Sequence, residues 1–347
     1  MTTIARLVVR APNWLGDAVM ALPAMTAIRQ QWPSAQLTVA AVPSVAALFR
    51  EETDVRPDRV IDRPAQTRTA VAALEGEGFD LGVLFPNSFR SAWQLWRAGV
   101  PERWGLPTSG RGLLLTRRSR RPTRAGVTHQ ADYYRDLVSG LDIACDASRR
   151  PRLAPSHPSA ERAHALLTQH GIGDEDAIVG MAPGAAYGQA KQWMPDRVAD
   201  VASRIVRHMR ARVILVGASH DRDAARAIES WLRVHAPDVA GRVVNLTGRT
   251  SLGALVGVIA RMAAFVSNDS GAMHVASALG RPVVAIFGPT DERATHPLGP
   301  HRVISVPVFC RPCQLRDCPI DHRCMKRITP DLVYAAVAEA MAPVEAR

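Results

Sequence analysis

The sequence predicts a doubly wound α/β protein built as two domains. Short β-branched runs alternate with helix-like stretches along most of the chain, the pattern of repeated βα units that feed a parallel sheet. The length, 347 residues, is about twice a typical domain of ~150. The alternation breaks once, between 148 and 176, where Pro-, His- and Arg-containing sequence surrounds a single helical stretch. That break is read as the join between two halves.

Taken in order, the first half has strands at Arg6–Arg10, Leu37–Ala41, Arg59–Asp62 and Asp80–Phe85. The helix after the first strand is the clearest: Asp17 to Trp32 opens on an acidic residue behind Gly16 and stops ahead of Pro33, a start and a stop signal in the right order. The second series runs through Ala177–Ala182, Arg212–Val216, Val243–Leu246, Ala264–Ser267 and Val283–Phe287, and closes with an Ala-rich helix at 330–341. The domains are drawn as 1–165 and 166–347, facing each other across a cleft. Ligands of such sheets bind at the carboxyl ends of the strands.

Composition narrows the function. With 47% hydrophobic and 22% charged residues, and 25 Pro and 24 Gly spread along the chain, disorder and collagen-like repeats are excluded. The richest apolar stretch, Ala18 to Ile28, is closed by Asp17 and Arg29 and broken by Pro23, far from the ~20 residues of a membrane span. The N-terminal segment carries charge within its apolar run and no small-residue cleavage site, so it reads as a strand rather than a signal peptide. A cytoplasmic protein is expected. The formal charge of +11 fits anionic partners. Nucleic acid is set aside as a partner, since no recognition motif is present and aromatics are only 5%. The arginines 117, 118, 120, 121 and 124 read as a solvated loop or a contact for a phosphorylated or membrane-embedded acceptor. Of 43 basic residues only Lys191 and Lys326 are lysines, so a lysine in a loop at a strand end points to a need for a compact, flexible ammonium.

Three loops carry polar residues where a βα scaffold puts chemistry. In the first, residues 11–17, Asn13 and Gly16 lead into Asp17 at a helix start. That carboxylate either caps backbone amides or acts as a general base. In the second, 183–193, Ala186, Tyr187 and Lys191 follow a glycine-containing turn that lacks P-loop spacing. Backbone there approaches a ligand closely and the ammonium meets phosphate oxygens. The third, 267–274, opens a helix with Asp269, Ser270 and Gly271, offering free amides and a helix dipole to a diphosphate. His274 lies one turn on, either reaching a phosphate or packed in the core.

Four strings, Pro-Asn-Trp-Leu-Gly-Asp-Ala-Val-Met-Ala-Leu-Pro at 12–23, Pro-Gly-Ala-Ala-Tyr-Gly-Gln-Ala-Lys-Gln-Trp at 183–193, Asn-Asp-Ser-Gly-Ala-Met-His at 268–274 and Phe-Gly-Pro-Thr-Asp at 287–291, resemble the ADP-heptose:lipopolysaccharide heptosyltransferases in order and spacing, over nearly the whole chain. The resemblance implies a GT-B glycosyltransferase with an N-terminal acceptor domain and a C-terminal nucleotide-sugar domain. It assigns Asp17 as the catalytic base and Lys191 as the phosphate-binding lysine with a share in catalysis. It also assigns Asp269, Ser270, Gly271 and His274 to the diphosphate loop, and Thr250 to the neighbourhood of the adenosine. The implied partners are ADP-heptose and a heptosyl-Kdo-lipid A acceptor, to which a second heptose is added with inversion, without a catalytic cofactor or metal. A lipid-anchored acceptor implies peripheral contact with the cytoplasmic face of the inner membrane, although no amphipathic anchor helix is visible. Closure of the domains is expected to bring base and donor together and exclude water. The alternatives are a relative acting on another acceptor and a non-catalytic nucleotide-sugar-binding module.

Cys310, Cys313, Cys318 and Cys324 crowd into fifteen positions, leaving Cys145 apart. In a cytosolic protein this spacing suggests a structural tetrahedral metal site, zinc first and iron second, with His322 able to replace a thiolate. Reduced free thiols or redox-labile pairs are the other readings.

Overall fold

The computed structural model describes residues 4–120 and 126–342, so Arg121 and Arg124 of the arginine-rich loop lie outside the described residues. The chain divides into two compact units, Met1–Leu153 and Ala154–Arg347.

The first unit is a six-stranded, wholly parallel sheet. Its strands are β1 (Arg6–Arg10), β2 (Gln36–Ala41), β3 (Arg59–Asp62), β4 (Leu81–Leu84), β5 (Glu102–Gly105) and β6 (Arg117–Arg118), in the order β3-β2-β1-β4-β5-β6. This is the doubly wound order, in which the strand sequence reverses direction beside β1. β1 lies between β2 and β4, with Val8 opposite Thr38 and Gly82. That position explains why Leu7, Val8 and Val9 are all fully buried and the strand shows no alternation. The chain leaves β1 into helix α1 (Leu15–Gln31), whose residues from Ala18 to Ile28 are buried without exception although Pro23 stands inside it. Small side chains at 18, 21, 24 and 27 let this helix lie close to its neighbours, and it packs against α3 (Gln130–Ser139). Between them in sequence, α2 (Phe89–Arg97) is capped by Ser88, which accepts from the Ser91 amide.

The second unit repeats the plan. Strands β7 (Ile178–Ala182), β8 (Arg212–Leu215), β9 (Val243–Asn245), β10 (Ala264–Asn268), β11 (Val283–Phe287) and β12 (His301–Ser305) form a parallel sheet in the order β9-β8-β7-β10-β11-β12. Around it run α4 (His157–Gln169), α5 (Pro195–Met209), α6 (Arg222–His235), α7 (Leu252–Ala260), α8 (Gly271–Ala278) and α9 (Pro330–Met341). The core gathers Val179, Val213, Ile205 and Val337 around Trp193, whose indole is buried and donates to the Ile328 carbonyl at 3.2 Å.

Two sequence expectations need correction. A division at 165/166 would cut through α4, yet that helix packs on α7 and belongs with the second unit. Three strands went unread, the edge strands β6 and β12 and β5 beside β6, because their residues are largely polar and half-exposed. In the arginine-rich stretch, Arg117 pairs with Asp142 and covers the Trp104 ring at 4.6 Å, and Arg118 donates to the Gly112 carbonyl. Among the described residues no helix is long and apolar enough to cross a membrane.

Candidate active site

In the first unit the site grows from the loop between β1 and α1. The N-cap position, Trp14, makes no side-chain cap bond, and Asp17 follows in the first turn of α1, half-buried. Tyr134 of α3 is close enough for the Asp17 charge to act on its phenol. Tyr134 is buried, and burial followed by the Asp17 charge holds its phenol far above the ordinary tyrosine value. The hydroxyl therefore stays protonated beside the carboxylate. Asn13, exposed on the same loop, accepts from Arg10 at 2.7 Å, and Arg10 also donates to the carbonyls of Ala11 and Ala40. Gly16 is half-buried between them.

Arg10 ends β1 almost fully buried, and burial followed by the Arg63 charge pulls its guanidinium down to about 9. Arg63, one residue past β3, is lowered in turn by burial and by Arg90 at the start of α2. The Nε atoms of Arg10 and Arg63 have no hydrogen-bond partner. Three arginines at the carboxyl edge of this sheet thus feel one another's charge, an arrangement that favours an anion nearby.

In the second unit the loop after β7 is held down by Asn268, the last residue of β10. Its amide donates to the carbonyls of Pro183 (2.7 Å) and Gly184 (3.3 Å), and its carbonyl accepts from the Trp193 amide. This staple presents Lys191, whose ammonium lies 2.6 Å from Asp269 and 4.7 Å from the centroid of the Tyr187 ring. Thr290 donates to the same Asp269 oxygen at 2.8 Å, and Thr295 to the other at 3.4 Å. Asp269 is buried, so the sequence placed it correctly in the loop, but in the structure its carboxylate is occupied in orienting Lys191. Ser270 stands at the N-cap of α8 without a side-chain cap bond, so the amide end of that helix is turned over to whatever anion binds there. His274 is buried one turn along. Ala186 is exposed on the rim of the Lys191 loop.

Thr250 is half-buried just before Ser251, which caps α7 by accepting from the Ala254 amide. A pair that sequence reading missed lies close by. Asp221 and Thr247 are buried at the ends of the loops after β8 and β9, and Asp221 Oδ1 and Thr247 Oγ1 lack hydrogen-bond partners. A Cβ on Gly184 would fall 2.0 Å from the Asp221 carboxyl, and one on Gly217 would fall 3.2 Å from the Thr247 methyl. The His220 ring nitrogen lies 3.4 Å from Asp221 Oδ1, so the Thr247 hydroxyl is the buried polar atom here that calls for an explanation, and nothing in the linear sequence singles it out. Tyr134, Arg63 and Arg90 were missed for the same reason.

The cysteine cluster is a correction. Among the described residues no group of three or more His, Cys, Asp or Glu side chains is gathered to hold a metal ion. Cys324 turns into the second-unit core beside Met325 and Ile328, where burial pushes its thiol up. Cys318 accepts the His322 amide, and the His322 ring is committed to the Ala190 carbonyl, 2.6 Å from Nε2. All five cysteines are free. Zinc or iron at Cys310, Cys313, Cys318 and Cys324 has no support in this geometry.

Two parallel doubly wound units with polar centres at their strand ends have the GT-B architecture, and the family match makes the protein a glycosyltransferase. Residues 68–323 match glycosyltransferase family 9 (heptosyltransferase), and the chain belongs to that family. It is 27% identical over 351 residues to lipooligosaccharide heptosyltransferase 2 of Haemophilus influenzae, covering 97% of this chain and 99% of that one. With lipopolysaccharide heptosyltransferase 2 of Escherichia coli it shares 28% over 312 residues, 84% of this chain and 85% of the relative. The solved structure of E. coli ADP-heptose lipopolysaccharide heptosyltransferase II superposes with a TM-score of 0.81 at 26% identity, over 97% of this chain and 98% of that one.

Proposed function

We propose that this enzyme transfers heptose from ADP-heptose to the first heptose of the lipopolysaccharide inner core, with inversion and without a metal in the catalytic step. The observation that carries this reading is the near-full-length likeness to enzymes named heptosyltransferase 2, in a chain where Asp17 and Lys191 each stand at the carboxyl end of a doubly wound sheet. Asp17 takes the proton from the attacking acceptor hydroxyl, the sugar–oxygen bond forms at the anomeric carbon on the face opposite ADP, and ADP departs with the bonding electrons. Tyr134 orients the base. Lys191, aimed by Asp269, and the amide end of α8 with Ser270 and Gly271 receive the charge developing on the diphosphate, a role in which loss of one donor costs ~10²–10³ in rate.

Arg10, Arg63 and Arg90 favour an acceptor that is itself anionic, as heptosyl-Kdo-lipid A is by its carboxylates and phosphates. With the +11 charge, that chemistry supports a cytoplasmic enzyme in peripheral contact with the inner leaflet. His274 and Thr250 are assigned to the nucleotide side, Asn13 and Gly16 to the acceptor side, and Ala186 and Tyr187 to the wall of the donor loop.

The test is transfer from ADP-heptose to an acceptor carrying a single heptose, run beside a heptose-free acceptor and an Asp17→Ala variant. Product on the single-heptose acceptor alone, abolished in a variant that still binds ADP-heptose, is the expected result. Product on the heptose-free acceptor would reassign the enzyme to the first heptose, and retained transfer by Asp17→Ala would remove the base.

A further inference from the structure

The segment from Cys310 to Cys324 lies directly on the Lys191 loop. The Ala190 amide donates to the Arg316 carbonyl at 2.8 Å, the Tyr187 hydroxyl donates to the Gln314 carbonyl at 2.9 Å, and the His322 ring meets the Ala190 carbonyl. Gly188 runs so close that a Cβ there would be 2.4 Å from the Arg316 carbonyl oxygen. At its other end the segment is tied to the loop after β11: Arg311 donates to the carbonyls of Gly288 (2.7 Å) and Thr290 (3.0 Å) and pairs with Glu292. Thr290 is the residue whose hydroxyl reaches Asp269. The segment is therefore a strap joining the two loops that aim Lys191.

Arg316 is held in this strap by its own backbone, which leaves the guanidinium exposed. Its Cζ lies 5.1 Å from the centroid of the Tyr187 ring, the same ring that Lys191 Nζ approaches at 4.7 Å. Among the described residues Arg316 has no carboxylate within ion-pair distance. Lys191 is matched one for one by Asp269, so that pair alone brings no net positive charge to a diphosphate. A cation without a counter-ion on the same ring supplies what the pair lacks, and a guanidinium suits the task because it stacks on an aromatic face while presenting two donors to phosphate oxygens.

We propose that Arg316 is a second cation of the donor diphosphate subsite, carried there by the Cys-rich strap. The proposal rests on ADP-heptose being the donor. In it, Arg316 and Lys191 engage the diphosphate together, and Tyr187 spaces them.

The test is calorimetric titration of the full-length protein with ADP, AMP and adenosine, for the wild type, Arg316→Gln and Arg316→Lys. Glutamine keeps the carbonyl that Ala190 uses, so the strap stays in place and the melting temperature should not move. For Arg316→Gln the ADP dissociation constant is expected to rise about tenfold, equivalent to ~1.4 kcal/mol, with a smaller rise for AMP, none for adenosine and partial recovery in Arg316→Lys. ADP affinity within twofold of wild type would overturn the proposal, as would an equal loss for adenosine, which would mean that the strap had simply shifted. A wild type that fails to bind ADP would instead remove the donor reading on which the proposal rests.

Discussion

Asp17 and Asp269 both stand behind a sheet strand at the entrance to a helix, and their surroundings give them different work. Asp269 is buried among an ammonium and two threonine hydroxyls. An anion so placed would repel a diphosphate, and it serves by holding Lys191 in one position. Asp17 is half-buried with a protonated phenol within reach of its charge, a setting that leaves the carboxylate able to take a proton. Sequence alone showed both acids and the rare lysine, because helix-start acids and a lone loop lysine are visible in one dimension. It gave no sign of Tyr134, which reaches Asp17 only because α3 packs on α1. That contact has a consequence for pH. The folded state holds the Tyr134 phenol above the ~10 of an unfolded chain, so this group's stabilising share is full below about pH 10 and is lost as pH rises beyond it. Tyr134→Phe is expected to unfold at higher pH than the wild type when helicity is followed by circular dichroism between pH 8 and 12. Its turnover should fall about tenfold, the scale of one hydrogen bond to a charged group. An unchanged alkaline midpoint would show that the phenol is not sheltered in this way.

Among the elements, legibility followed burial. The central strands β1, β7, β10 and β11 are apolar on both faces and were readable nearly to the residue. β12 and β6 are edge strands and β5 lies next to β6, and the polar residues of all three give no strand signal. The strap misled for a different reason. Cysteine spacing suggested ligands, whereas the segment works mainly through backbone carbonyls, which every residue has and which leave no mark in a sequence. Gly188 is the position where that hidden contact can be tested. A methyl group there collides with the Arg316 carbonyl, a backbone atom that has no rotamer through which to yield. Gly188→Ala is expected to weaken ADP binding at least tenfold while lowering the melting temperature by less than about 4 °C, the shift that ~1 kcal/mol produces in a domain of this size. Gly180→Ala gives the contrast. Its new methyl meets Met262 and Phe265 inside the second-unit core, and overpacking of that kind costs ~1–3 kcal/mol, so stability should fall further. If Gly188→Ala bound ADP as the wild type does, the strap would have no part in shaping the loop.

At the scale of the whole molecule, each unit carries its own means of folding. The cluster from Val8 to Leu115 draws only on the first unit, and the one from Val179 to Val337 only on the second. Each packs on one face of a parallel sheet of six strands. The second unit, at 194 residues from Ala154 to Arg347, is well above the size at which a single core sustains a domain. The groups assigned to the diphosphate, Lys191, Ser270, Gly271 and Arg316, lie within it, as do Asp269, which holds Lys191, the staple Asn268 and the strap. Donor binding should therefore survive without the first unit, whereas transfer needs Asp17 and should not. A fragment comprising residues 154–347 is expected to unfold cooperatively on heating and to bind ADP within about threefold of the intact chain, a difference under ~1 kcal/mol. The same fragment should release no product from ADP-heptose in the presence of acceptor. Starting it at 166, as the sequence division suggested, would remove most of α4 and expose the face of α7 that α4 covers, including Gly257, where a Cβ would be 2.5 Å from the Ser159 carbonyl. That shorter fragment should melt lower or aggregate. Equal stability of the two fragments would show that α4 is not part of the second unit's fold, and loss of ADP binding by the longer, folded fragment would show that the donor site draws on residues of the first.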